Sequence, residues 1–293
     1  MVRITRRRAL AGALAAAPVA RAATGAGAAP GGVVTLEWNA TENAVALGVP
    51  PAGVADLGAY ADWVDVGTEF LAAAADVGTR QQPSLEAIAR LAPRLIVATA
   101  LRHRALQPRL AGIAPVLLLE DVPRDGDLYA GMVAGLRQLA GALERPDAAD
   151  REMAALEASL ARHRDALAAR GRGSAPVVLA QPLPGIPRLR LFTANSAAAG
   201  VLARMGLAPG WSAPPEPFGF ATVEAEALAT LDRTHLLLIG DQVPSELAAG
   251  PLWRRMPFVA GGRLHLLGPA IWTFGGPRSM DRLAERVAAV LLA

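Results

Sequence analysis

From residue 33 onward, short apolar runs alternate with stretches of helical period. Val33 to Glu37 reads as a strand and Trp38-Asn39-Ala40-Thr41 as a turn. Glu42 to Leu47 reads as a helix stopped by Gly48 and Pro50-Pro51. Val54-Ala55 is a second short strand, and residues 57–79 are polar, aromatic and irregular enough to predict a long loop, of a length that is either functional or disordered. Ser84, after Pro83, is suited to cap a helix in which Leu85, Ile88 and Leu91 recur at helical spacing. Leu95-Ile96-Val97-Ala98 has the continuous apolarity of a strand covered on both faces. A helix around Ala105 to Leu110, a strand at Val116 to Leu119 and an amphipathic helix from Asp127 to Leu143 follow.

Residues 147–170, rich in Ala and Arg, predict one unbroken helix that ends at Gly171-Arg172-Gly173. At 1.5 Å per residue it would be about 35 Å long, the scale of a whole lobe. The second half then repeats the grammar of the first. It has a strand at Val177 to Ala180, a helix capped by Ser196 and running to Met205, and an aromatic stretch from Trp211 to Phe220. Glu226 to Ile239, E-A-L-A-T-L-D-R-T-H-L-L-L-I, repeats the helix-turn-strand of residues 85–98. A strand at Leu264 to Leu267, a loop from Pro269 to Gly276 and a helix from Ser279 to Leu292 close the chain. The duplication predicts an α/β protein with two Rossmann-like lobes, residues 33–143 and 174–293, bridged by the helix 147–170.

The start of the chain changes how its charge is read. Residues 1–22 pattern as a twin-arginine-type signal peptide: Arg6-Arg7-Arg8, an apolar run from Ala9 to Val19, and Ala20-Arg21-Ala22 as the cleavage site. The apolar run is too short for a bilayer span, which takes about 20 residues. Residues 23–32 form a Gly- and Ala-rich flexible leader. The whole chain has 29 basic and 26 acidic residues, but five of the arginines and none of the acids lie in residues 1–22. The remainder, 24 basic against 26 acidic, is mildly acidic, so a nucleic-acid partner is not expected. There is no cysteine to carry a lipid anchor or a disulfide, which predicts a free periplasmic protein that rests on its core.

Several chemistries are excluded by absent residues. Without lysine there is neither a Walker A loop nor a Schiff base, and without cysteine there is no thiol nucleophile or thiolate site. No zincin or nucleophile-elbow motif occurs, and His103, His163, His235 and His265 stand in unlike contexts. No catalytic residue and no protein-held metal is expected. What remains is a set of aromatics gathered in loops: Trp38, Tyr60, Trp63, Phe70, Phe218, Phe220, Trp272 and Phe274. Loops at the carboxyl ends of strands form ligand crevices in open α/β sheets, and flat apolar rings there suit a bulky, partly apolar ligand. Phe70 and Phe220 are the ones expected to fill lobe cores instead.

Four stretches taken together resemble periplasmic iron-siderophore binding proteins, nearest the ferric-hydroxamate branch. They are V-T-L-E-W-N-A-T-E-N-A-V-A-L-G-V-P-P-A-G-V-A-D, D-V-G-T-R-Q-Q-P-S-L-E-A-I-A-R-L-A-P-R-L-I-V-A, W-R-R-M-P-F-V-A-G-G-R-L-H and P-A-I-W-T-F-G-G. The resemblance runs across the whole chain after the leader. It implies a class III binding protein that takes a ferric siderophore between its lobes, closes little, and delivers its cargo to the permease of an inner-membrane ABC importer. No cofactor is implied, since the siderophore holds the iron, and a monomer is expected. By position, Arg80 matches the arginine that bonds the oxygens around iron, and Trp38, Trp63, Phe218, Trp272 and Phe274 fall at or near pocket aromatics. The family's pocket tyrosine is missing after Thr99. Arg102 stands nearest, either adding positive charge that favours a citrate-containing or carboxylate siderophore or pointing to solvent.

Glu86 and Glu226 occupy matching places in the two halves. An acid in a first helical turn stabilises the helix dipole by about 0.3–1 kcal/mol; the resemblance adds docking on the permease. Haem or a corrinoid is the alternative ligand, with His103 as the one tempting axial ligand. A siderophore-processing hydrolase and a peptide-binding module are the alternatives of other classes.

Overall fold

The computed structural model describes residues 31–120, 123, 126–250 and 252–293, so the expected signal peptide and all of the leader before Gly31 lie outside the described residues. In the N-terminal half, β1 (Val33–Thr35), α1 (Trp38–Ala46), β2 (Gly53–Val54), α2 (Leu57–Trp63) and β3 (Ala75–Asp76) come first. α3 (Leu85–Arg90), β4 (Leu95–Thr99), α4 (Ala100–His103), α5 (Gln107–Ala111) and β5 (Val116–Leu119) follow. Their sheet has the order β3-β2-β1-β4-β5 and is parallel throughout. β1 and β4 at its centre are buried along their whole length, as continuous apolar runs in a covered parallel sheet should be.

α6 (Leu128–Ala142) begins where the Asp127 carboxylate accepts the Tyr129 and Ala130 N–H groups, at 2.9 and 3.0 Å. α7 (Pro146–Ala169) carries Pro146 in its first turn, where the missing N–H costs nothing. It ends in a Schellman arrangement: Gly171 is left-handed, its N–H reaches Ala168 O at 3.0 Å, and Arg172 N–H reaches Leu167 O at 2.8 Å.

The C-terminal half contains β6 (Pro176–Pro182), β7 (Arg188–Phe192), α8 (Ala197–Arg204), β8 (Ala208–Pro209) and β9 (Phe220–Glu224). β10 (His235–Leu238), α9 (Ser245–Ala248), α10 (Pro257–Ala260), β11 (Leu264–Leu266) and α11 (Pro277–Leu292) complete it. Its sheet, β11-β10-β6-β7-β9, is mixed: β6, β10 and β11 are parallel, whereas β7 runs antiparallel to both β6 and β9.

Several expectations needed correction. The stretch 57–79 is not a bare loop. Left-handed Asp56 turns the chain into α2, and β3 adds a fifth strand. α1 starts at Trp38 rather than Glu42, because Glu37 is extended and its carbonyl accepts both the N–H and the hydroxyl of Thr41. The later copy of the helix-turn-strand is tightened into a 3₁₀ segment, Ala225–Thr230. Phe70 is exposed, because its neighbour Leu71 takes the inward position of that turn.

One apolar core runs through both halves. It joins Leu47 of α1, Leu136 and Leu139 of α6, Leu156 and Leu160 of α7, Val201 of α8, Leu237 of β10, and Leu283 and Val287 of α11. Burying each leucine contributes about 2 kcal/mol. Polar links run along the same seam. Arg282 of α11 donates to the carbonyls of Val64 and Asp65 at 2.7 and 2.6 Å, and Arg278 forks onto Glu152 of α7 at 2.7 and 3.0 Å.

Candidate ligand-binding cleft

The cleft between the two sheets encloses about 480 Å³. Its floor is a chain of edge-to-face and tilted rings that crosses from one half to the other. It begins at Trp272, which rests on the buried Trp38 at 5.1 Å (Trp38 in turn packs on Tyr60 at 6.2 Å) and meets Phe274 at 5.3 Å. Phe274 then meets Phe220 at 5.9 Å and Phe192 at 6.1 Å, and Phe218 continues from Phe220 at 6.4 Å. Such pairs each contribute about 0.5–1.5 kcal/mol beyond burial. Buried beside this floor, Asn39 Oδ1, Trp272 Nε1 and Thr273 Oγ1 have no hydrogen-bond partner among the described residues, and orphaned polar atoms of that kind mark places where water or a ligand completes the bonding.

Arg80 forms the N-terminal wall. Its Nη1 donates to Glu37 Oε1 at 3.0 Å and its Nε to Asp56 Oδ2 at 3.1 Å, while the guanidinium lies 3.5 Å from the centre of the Trp38 ring. Its loop is held by His103. The His103 Nδ1 accepts the Thr99 N–H at 3.1 Å, so the proton sits on Nε2, which donates to the Arg80 carbonyl at 2.8 Å. Burial lowers the His103 pKa and keeps the ring neutral. With both nitrogens engaged, His103 offers no axial position for haem.

Arg102 lines the same wall and donates from Nε to Glu37 Oε2 at 2.5 Å. Glu37 therefore bridges two arginines, and it cancels the charge of Arg102 where it stands.

The expected site residues separate into three groups. Arg80, Arg102, Phe218, Trp272 and Phe274 line the cleft together. Trp38 lies beneath the floor, buried, and supports Arg80 and Trp272 from below. Trp63 is not brought to the cleft. α2 buries Tyr60 and its i+4 neighbour Val64, which leaves Trp63 one step round the helix and 45% exposed. Glu86 and Glu226 lie apart from the cleft, both exposed, each in the first turn of its helical segment; Glu86 pairs with Arg90 at 3.5 Å.

Sequence reasoning missed Glu37, Phe192 and Arg190, which also line the cleft. The alternation R-L-R-L-F in residues 188–192, with Leu189 and Leu191 buried, was the available signal for the last two. Phe220, expected in a core, both lines the cleft and packs on the core. Among the described residues no group of three or more His, Cys, Asp or Glu side chains could hold a metal ion.

Residues 33–270 match the family described as "Periplasmic binding protein". The chain belongs to that family. Its members are binding proteins of ABC transporters rather than enzymes. One relative, the iron(3+)-hydroxamate-binding protein FhuD of Escherichia coli, is 30% identical over 255 residues, covering 85% of this chain and 83% of its own. The achromobactin-binding periplasmic protein of Dickeya dadantii is 44% identical over 93 residues, 32% of this chain and 30% of its own. Among solved structures, FhuD of Vibrio cholerae with bound Fe3+-Desferal superposes with a TM-score of 0.82 at 28% identity, covering 89% of this chain and 98% of that one. The fold is accordingly that of class III periplasmic binding proteins, α/β with a long α7.

Proposed function

We propose that this protein captures a ferric siderophore, of hydroxamate type, in the cleft and delivers it to the permease of an inner-membrane ABC importer. The observation that carries this reading is Arg80, held between two carboxylates and a tryptophan ring at the wall of an aromatic-floored cleft. Deprotonated hydroxamates leave negative charge on the oxygens around iron, and a guanidinium can reach two of them at once. Arg80 Nη2 has no hydrogen-bond partner among the described residues and is the donor left for that task. The rings take the apolar body of the chelate. The whole-length likeness to hydroxamate-binding relatives supports the same assignment.

Glu86 and Glu226 are the docking points for the permease. Their place at the start of segments that lead back into parallel strands puts both at the carboxyl ends of the two sheets, one per half. We read the protein as an exported periplasmic monomer that leaves the cytoplasm by the twin-arginine route, with no cofactor of its own; changing Arg7, shared by both possible arginine pairs, to Lys should block export.

The test is a tryptophan-fluorescence titration of the purified protein with ferrichrome, ferrioxamine B, ferric citrate, haem and cobalamin. Quenching by a ferric siderophore at roughly micromolar concentration or below is expected. Tight binding of haem or cobalamin alone would overturn the assignment.

A further inference from the structure

Among the described residues three arginines line the cleft, and two of them are neutralised inside the protein. Arg80 and Arg102 face Glu37 and Asp56, two positive charges against two negative ones. Glu120, at the rim, is paired with Arg104 at 2.8 Å. The third, Arg190, stands on the opposite wall, and its situation follows from the register of β7 and β9. Leu189 and Leu191 point into the C-terminal core, so Arg188, Arg190 and Phe192 share the other face. Directly across on β9 they meet Glu224, Thr222 and Phe220 in turn. Arg188 is ion-paired with Glu224. Arg190, opposite a threonine, has no carboxylate partner among the described residues.

What Arg190 does have is weak. Its Nη1 reaches Gln181 Oε1 at 3.4 Å, its guanidinium carbon lies 4.7 Å from the centre of the Phe220 ring, and its Nε is buried with no acceptor. Burial also acts against its charge. An arginine stays protonated in a protein, and a desolvated cation without a counter-charge is destabilising until a ligand supplies one. Because Arg190 lines the cleft, the guanidinium N–H groups that Gln181 leaves unused can donate to a carboxylate.

Building on the reading of the cleft as a ferric-siderophore site, we propose that Arg190 binds a free carboxylate of the ligand. The cleft thereby selects ferric complexes that carry an acidic group over neutral or cationic complexes with the same iron-chelating core. Arg80 serves the oxygens around iron, which every such complex has; Arg190, on the other wall, reads the periphery.

Two probes with one trihydroxamate core isolate the effect: ferrioxamine B, which ends in an ammonium group, and its N-succinyl derivative, which ends in a carboxylate. The unaltered protein should bind the succinylated form at least tenfold more tightly. Arg190→Gln should weaken the succinylated form at least tenfold and strengthen ferrioxamine B, because the same change removes an attraction from one and a repulsion from the other. Arg190→Lys should keep part of the preference. Equal affinity of the unaltered protein for the two probes, or a loss on both probes in Arg190→Gln, would overturn the role of Arg190 and leave the siderophore assignment intact. Binding of neither probe, nor of ferrichrome or ferric citrate, would overturn both.

Discussion

Glu42 and Ser279 stitch the two halves of the molecule together: Glu42 Oε1 accepts the Ser279 N–H at 2.8 Å and Oε2 accepts its hydroxyl at 2.6 Å, with both residues fully buried. The carboxyl of α1 thus caps the first turn of α11, where N–H groups lack helical partners. Glu42→Ala should destabilise the fold by about 2–3 kcal/mol, because it leaves buried donors unmatched; urea denaturation reads the loss directly.

Burial raises the pKa of Glu42 above its usual 4.5, so the fold favours the neutral carboxyl. Its contribution is then most favourable below pH 4.5 and declines as the pH rises through 4.5 toward the raised folded value. Glu42→Gln, which cannot titrate, should lack that decline. Its stability relative to the unaltered protein should therefore rise across this window, and denaturation curves from pH 4 to 8 check the sign.

Gly276 approaches Asn43 so closely that a β-carbon would overlap Asn43 Oδ1. Gly276→Ala should cost about 1–3 kcal/mol by forcing α11 away from α1, seen as a lower Tm.

Arg80→Ala should weaken ferric-siderophore binding at least tenfold. Because Arg80 also balances Asp56, which has no other ion pair among the described residues, the same change should lower stability by about 1–3 kcal/mol. A titration paired with a thermal melt distinguishes this from a surface arginine, whose removal would change neither.

Protonation of His103 Nδ1 would remove its bond from the Thr99 N–H and release the loop that carries Arg80. The folded pKa lies below 6.5, so the neutral ring's contribution is complete above pH 6.5 and is lost as the pH falls through that depressed value. Ligand affinity should therefore weaken in acid. His103→Ala should bind several-fold more weakly at neutral pH and show a flatter profile between pH 7.5 and 5.

The scaffold was legible where local rules act alone. Ser84 and Ser196 cap their helices as their positions promised, and the apolar runs at 95–98 and 236–238 are central strands. The cleft was legible where chemistry clusters in one loop, as with Trp272 and Phe274. It was not legible where function depends on what stands across a sheet. Nothing near Arg190 in sequence reveals that its cross-strand neighbour is Thr222 while that of Arg188 is Glu224. Likewise, the charge of Arg102 is cancelled by Glu37, 65 residues away. Trp63 failed for a geometric reason, since the inward face of α2 belongs to Tyr60.

The core shared by α6, α7, α8 and α11 also bears on how such a protein can change over evolution. Neither half closes its own apolar surface, so a chain severed within α7 would expose the faces around Leu156 and Leu283 rather than release two stable pieces. Exchange of one half between relatives would bring in a foreign seam along with a foreign binding wall. New ligand preferences are therefore more accessible through single replacements on the solvent side of the β7–β9 ribbon than through the shuffling of whole lobes.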